Sequence, residues 1–91
     1  MSASSLPHSV EAEEAVLGSI LIDSGAFERI APALSADDFY CPEHRLIYAA
    51  VTSLTRGGTA ADVVTVHDEL KRQGRDTEAG GLARLSELAS G

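Results

Sequence analysis

Residues 41–56 read CPEHRLIYAAVTSLTR, and they carry the marks of one complete helix. Pro42 suits the first helical position, where its missing N–H costs no hydrogen bond. Glu43 in the first turn faces the positive end of the helix dipole. Gly57-Gly58 lies just past the end, where a left-handed residue closes a helix. Leu46, Ile47, Tyr48, Ala50, Val51 and Leu54 recur at helical spacing and form one apolar face, while Arg45, Thr52 and Arg56 point the other way. His44 points with Ile47, Tyr48 and Val51.

The flanking segments follow the same period. Residues 9–22 read as a helix with Ser9 as its N-cap and Glu11, Glu13 and Glu14 at its positive end. Val10, Val16, Leu17, Ile20 and Leu21 give it a broad apolar face, and Glu13 falls inside that face. Asp23-Ser24-Gly25 breaks the run and starts a second helix through Phe27, Ile30, Ala31 and Leu34, which Pro32 disrupts or ends early. Ser35-Ala36-Asp37-Asp38 reads as a capped turn leading to Phe39 and Tyr40. Beyond Gly57 the chain is a flexible connection to Ala61, with Asp62-Val63-Val64 briefly extended. Thr65 with Asp68 makes a capping-box-like start, and Gly74 a stop, for a short helix through Val66 and Leu70. Residues 73–81 form a polar turn region, and Leu82, Leu85, Leu88 and Ala89 a last helical stripe. The expected fold is all-α: a compact bundle of five or six short helices in a single domain.

Composition agrees. The chain has 91 residues, of which 44% are hydrophobic and only four are aromatic. Many Ala and Leu with few aromatics favour closely packed helices over a β-sandwich. One cysteine excludes an internal disulfide framework and a multi-cysteine zinc site. No apolar stretch is long enough to span a bilayer. The first five residues have neither a basic nor an apolar region, so no signal peptide is expected and the cytoplasm is the expected location. The net charge is −7, and all of the imbalance sits in the first half: eight acids and one base, Arg29, up to His44, then six of each. A nucleic-acid module presents a basic face to phosphates. The only basic cluster here is Lys71, Arg72 and Arg75, which also reads as a solvated helix end. Weak or no DNA binding is expected.

Catalytic motifs are scarce. Gly57-Gly58 and Gly80-Gly81 lack the lysine and the strand-to-helix setting of a phosphate loop, so no ATP hydrolysis and no tight ATP binding are expected. Cys41 and His44 raise a thiol–imidazole dyad, set against a packed cysteine and a hydrogen-bonded structural histidine. His8, His44 and His67 are metal ligands only if the fold gathers them. Phe27, Phe39, Tyr40 and Tyr48 are read as core residues and not as a base-stacking platform. Glu13 and His44, each among apolar residues of its own helix, need hydrogen-bond partners. They satisfy each other if the first helix packs on the one beginning at Pro42. Otherwise Glu13 caps backbone amides at a neighbouring helix start, or His44 bonds a loop carbonyl.

Pro7-His8-Ser9-Val10-Glu11-Ala12-Glu13, followed by Val16-Leu17-Gly18, resembles the opening of the N-terminal domain of DnaB-type replicative DNA helicases. The resemblance continues through Asp38-Phe39-Tyr40, His44 and Ile47-Tyr48, then Asp62, Leu70, Gln73-Gly74, Gly80-Gly81, Leu85 and Leu88. It covers residues 6–90, and Pro32 departs from the helical residue usual in that family. It implies a flexible arm over residues 1–6 and a helical collar domain over residues 7–91, with the ATP- and magnesium-dependent motor absent from this chain. It further implies a non-catalytic part of a hexameric helicase that self-associates and docks primase and the helicase loader. No catalytic, cofactor-binding or metal residue carries over. The residues that match (Pro7, His8, Glu11, Glu13, Leu17, Gly18, Asp38, Phe39, Tyr40, His44, Ile47, Tyr48, Gly80 and Gly81) are expected to be structural. The hairpin that makes much of the family's dimer contact would follow Gly91, so this chain is expected to be a monomer or weak dimer. The alternative is a free-standing helical adaptor, such as the helicase-binding domain of a primase or loader.

Overall fold

The computed structural model describes residues 9–90. The expected arm over residues 1–6, with Pro7 and His8, lies outside them. The described residues form five α-helices and no strand: α1 (Val10–Ile22), α2 (Gly25–Ile30), α3 (Pro42–Arg56), α4 (Val63–Arg72) and α5 (Gly81–Ser90). A 3-10 turn over Ala36–Asp38 joins α2 to α3. The all-α expectation holds. None of these helices is long and apolar enough to cross a membrane.

Local chemistry sets most boundaries. The Ser9 hydroxyl accepts the Ala12 N–H at 3.1 Å and opens α1. Pro32 limits α2 to six residues: Ala31 before it still has helical angles and donates to the Phe27 carbonyl, but the proline has no N–H to continue the ladder and its ring clashes one turn back. Asp38 closes the 3-10 turn by accepting the Ser35 N–H at 2.7 Å. Helices α3 and α4 end alike. Gly58 at φ 84° and Gly74 at φ 73° adopt the left-handed conformation that lets the next residue, Thr59 or Arg75, donate back to Leu54 or Leu70.

The start of α4 corrects the sequence reading. Asp62, not Thr65, is the N-cap: its carboxylate accepts the Thr65 N–H at 2.8 Å, and the Thr65 hydroxyl accepts the Asp62 N–H at 2.9 Å. Val63 and Val64 are therefore helical. A capping box overrides the extended preference of two β-branched residues.

The core gathers fully buried side chains from four helices: Leu17 and Ile20 of α1, Ile47, Tyr48 and Val51 of α3, Val66 and Leu70 of α4, and Leu85 of α5. Phe27 and Phe39 pack their rings on Tyr48 at 5.5 and 4.9 Å, and the Tyr48 hydroxyl donates to the Leu34 carbonyl at 2.8 Å. Helix α5 runs parallel to α1, since Glu14 meets Arg84 and, four residues on, Gly18 meets Leu88. Three expected core residues lie outside. Val10 and Leu82 are 48% and 47% exposed. Each occupies the first turn of its helix, and the right direction around the axis buries a side chain only where a neighbour stands at the same height. Tyr40 is 56% exposed, because the extended entry to α3 turns Phe39 inward and its neighbour outward.

Candidate functional site

Four polar side chains from α1, α3 and α5 meet at one end of the bundle. Glu13 and Glu14 come from the N-terminal half of α1, His44 from the first turn of α3, and Arg84 from α5. Glu13 Oε1 lies 2.7 Å from His44 Nδ1. The same carboxylate accepts the N–H of Tyr40 at 2.6 Å and of Cys41 at 3.3 Å, at the entry to α3. His44 Nε2 lies 3.2 Å from Arg84, whose guanidinium also reaches Glu14 at 2.8 Å. His44 is completely buried, and the Glu13 side chain is 13% exposed. Both sequence alternatives for Glu13 are realised together: it pairs with His44 and it caps backbone amides.

The geometry assigns the imidazole proton. An ionised carboxylate has only lone pairs, so Nδ1–H donates to Glu13; a guanidinium has only donors, so Nε2 accepts from Arg84. Burial pushes the Glu13 carboxyl upward, but the Tyr40 amide, the His44 ring and the Cys41 amide more than offset this. It sits below its ordinary value and is ionised at neutral pH.

This wiring leaves little for catalysis. Burial, and then the negative charge of Glu13, raise the pKa of the Cys41 thiol, while both ring nitrogens of His44 are engaged elsewhere. No thiolate–imidazole nucleophile is assembled. Cys41 is therefore expected to react with iodoacetamide at pH 7 more slowly than free cysteine; a rate equal to or above that of free cysteine would contradict the arrangement. Of the histidine trio of the sequence reading, His8 lies outside the described residues, and His67 is not in the group that converges among them. Glu13, Cys41 and His44 instead place possible metal-ligand atoms within 4.8 Å of one another. A metal on Nδ1 would shift the ring proton to Nε2, against the Arg84 guanidinium. The donor set is thus better used by its hydrogen bonds than by a cation.

A second buried carboxylate ties α3 to α4. Glu69, 6% exposed, accepts from Ser53 at 3.1 Å, from Gln73 at 2.6 Å and from two nitrogens of Arg72 at 3.0 and 2.6 Å. Arg72 and Gln73, with help from Ser53, outweigh burial and hold its pKa at about 2, against an ordinary 4.5. A lowered carboxyl pKa contributes stability that is present above about 4.5 and lost as pH falls towards about 2. Denaturant titrations at a series of pH values are therefore expected to show a steeper acid loss for the parent than for Glu69→Gln. Equal slopes would contradict the assignment.

Other residues singled out in the sequence and described by the structure lie as follows. Leu17, Phe39, Ile47 and Tyr48 are core, and Glu11 is exposed on α1. Gly18 lies against α5, where an added Cβ would come 2.4 Å from the Leu88 carbonyl oxygen. Asp38 holds the 3-10 turn, and Gly80-Gly81 leads into α5. Sequence reasoning missed Glu14, Arg84 and Glu69. Glu69 carried the signal that marked Glu13, an acid within an apolar stripe, here between Val66 and Leu70.

Residues 5–91 match the family described as DnaB-like helicase N terminal domain. The chain belongs to this family. It is 42% identical over 84 residues to the replicative DNA helicase DnaB of Haemophilus influenzae, a match covering 92% of the chain and 18% of that protein. It is 38% identical over 84 residues to that of Leifsonia xyli, with the same coverage. A crystal structure of the N-terminal domain of DnaB helicase from Mycobacterium tuberculosis superposes with a TM-score of 0.89 at 38% identity, covering 92% of the chain and 58% of the solved one. The chain thus spans about a fifth of the length of these helicases. The adaptor alternative gives way to the DnaB-like N-terminal domain, whose fold the five helices share.

Proposed function

We propose that residues 7–91 act as a non-catalytic collar domain of a hexameric, ATP-driven replicative helicase in the cytoplasm, serving ring assembly and the docking of primase and the helicase loader. The observation that carries this reading is the family match over residues 5–91. The site chemistry supports it. Glu13, His44 and Arg84 are committed to one another and to the backbone, which fixes how α1, α3 and α5 pack and leaves no free acid, base or nucleophile among them. Net charge −7 disfavours contact with DNA phosphates and suits a protein partner. ATP and magnesium belong, in this reading, to a motor elsewhere in the parent protein.

Deleting this domain from the whole helicase separates the docking role from the motor's ATP hydrolysis. The expected result is that DNA-stimulated ATP hydrolysis survives while stimulation by primase is lost. Unchanged primase stimulation would overturn the proposal, as would micromolar Mg-ATP binding by the isolated chain.

A further inference from the structure

The Glu13–His44 cluster is enclosed within the bundle, whereas the neighbouring face between α1 and α5 is open and exposes the apolar side chain of Ile22. A groove of about 480 Å³ runs there. Its apolar lining comes from Ala15, Ile22 and Leu88, and Ile22 is 70% exposed, the most exposed of the large hydrophobic side chains described. Three carboxylates, Glu11, Glu14 and Glu87, border it. Among the described residues Arg84 is the one base lining the groove, and it is drawn to Glu14 at 2.8 Å and Glu87 at 3.5 Å. The rim therefore keeps a negative surplus around an apolar floor.

We infer that this groove docks an amphipathic helix of a partner protein, one whose aliphatic stripe is flanked by lysine or arginine. The volume accepts a few side chains and not a whole helix, so the partner lies across the groove with its aliphatic residues against the exposed Ile22 and Ala15, over the buried Leu88. Gly18 and Ala15 keep the floor low, and the acidic rim selects the basic flank. An acidic helix would be repelled by the same rim. This inference rests on the reading of the chain as a docking domain and names the face and the chemistry it selects.

The test is an NMR titration of the ¹⁵N-labelled chain with two synthetic helical peptides. They share one leucine stripe and differ only in lysine or glutamate flanks. The expected perturbations centre on Ala15, Ser19, Ile22 and Leu88, and the lysine peptide binds about tenfold more tightly than the glutamate peptide. Ile22→Asp weakens the lysine peptide about tenfold. Val64→Asp, at an equally exposed position on α4 outside the groove, leaves it unchanged. The inference is overturned if no peptide binds, if perturbations centre elsewhere or spread evenly, if both peptides bind alike, or if Val64→Asp matches Ile22→Asp. Concentration-dependent shifts of the same residues without peptide would assign the face to a second copy and overturn it too. Since neither peptide is primase, failure here is read separately from failure of primase to bind the domain.

Discussion

Glu13→Ala is expected to destabilise the protein by about 2–3 kcal/mol, which for a domain this small would lower the melting temperature by roughly 10–20 °C. The size follows from what one carboxylate does. It accepts the Nδ1–H of a completely buried histidine and two backbone N–H groups at the entry to α3. Truncation orphans all three donors at once. Glu13→Gln keeps one acceptor oxygen and is expected to lose less than alanine does. Thermal unfolding of the three proteins checks this. A Glu13→Ala variant melting within a degree of the parent would mean that α1 is not held to α3 through this group.

Gly18→Ala is expected to destabilise by about 2 kcal/mol, in the range of overpacking, although alanine favours an isolated helix over glycine by roughly 1 kcal/mol. The new methyl would stand 2.4 Å from the Leu88 carbonyl oxygen. That atom belongs to the backbone of α5, so the clash is relieved only by moving one helix from the other. Gly25→Ala is the contrast, because its nearest neighbour is the Asp23 side chain at 3.3 Å, in an exposed turn. Denaturant midpoints of both variants decide it: equal midpoints would contradict the close parallel contact of α1 and α5.

How legible the fold was depended on the range of the signal. Ser9, Pro32, Pro42 and the Gly57-Gly58 pair act within a turn of their own position, and the helix ends they marked lie where expected. Asp62 was obscured by Val63-Val64, whose β-branching reads as extended until Thr65 is seen to answer Asp62. Direction around a helix was readable from spacing, which is why His44 and Glu13 stood out as buried polar groups. Height along the helix was not, and Val10 and Leu82 were misplaced for that reason. The partners across helices were the least legible. Nothing local to Arg84 says that α5 lies parallel to α1 at the register that sets it between Glu14 and His44.

In the proposed function this chain is a docking module, and its polar core is structural. Sedimentation velocity of the labelled chain mixed with primase from the same organism tests that claim most directly. The expected result is a faster-moving complex with a Kd on the order of micromolar or tighter, unchanged by Mg-ATP and weakened in Glu13→Ala at temperatures where that variant unfolds. Sedimentation of the chain as a free species at every primase concentration, or a complex that forms only with Mg-ATP, would contradict it.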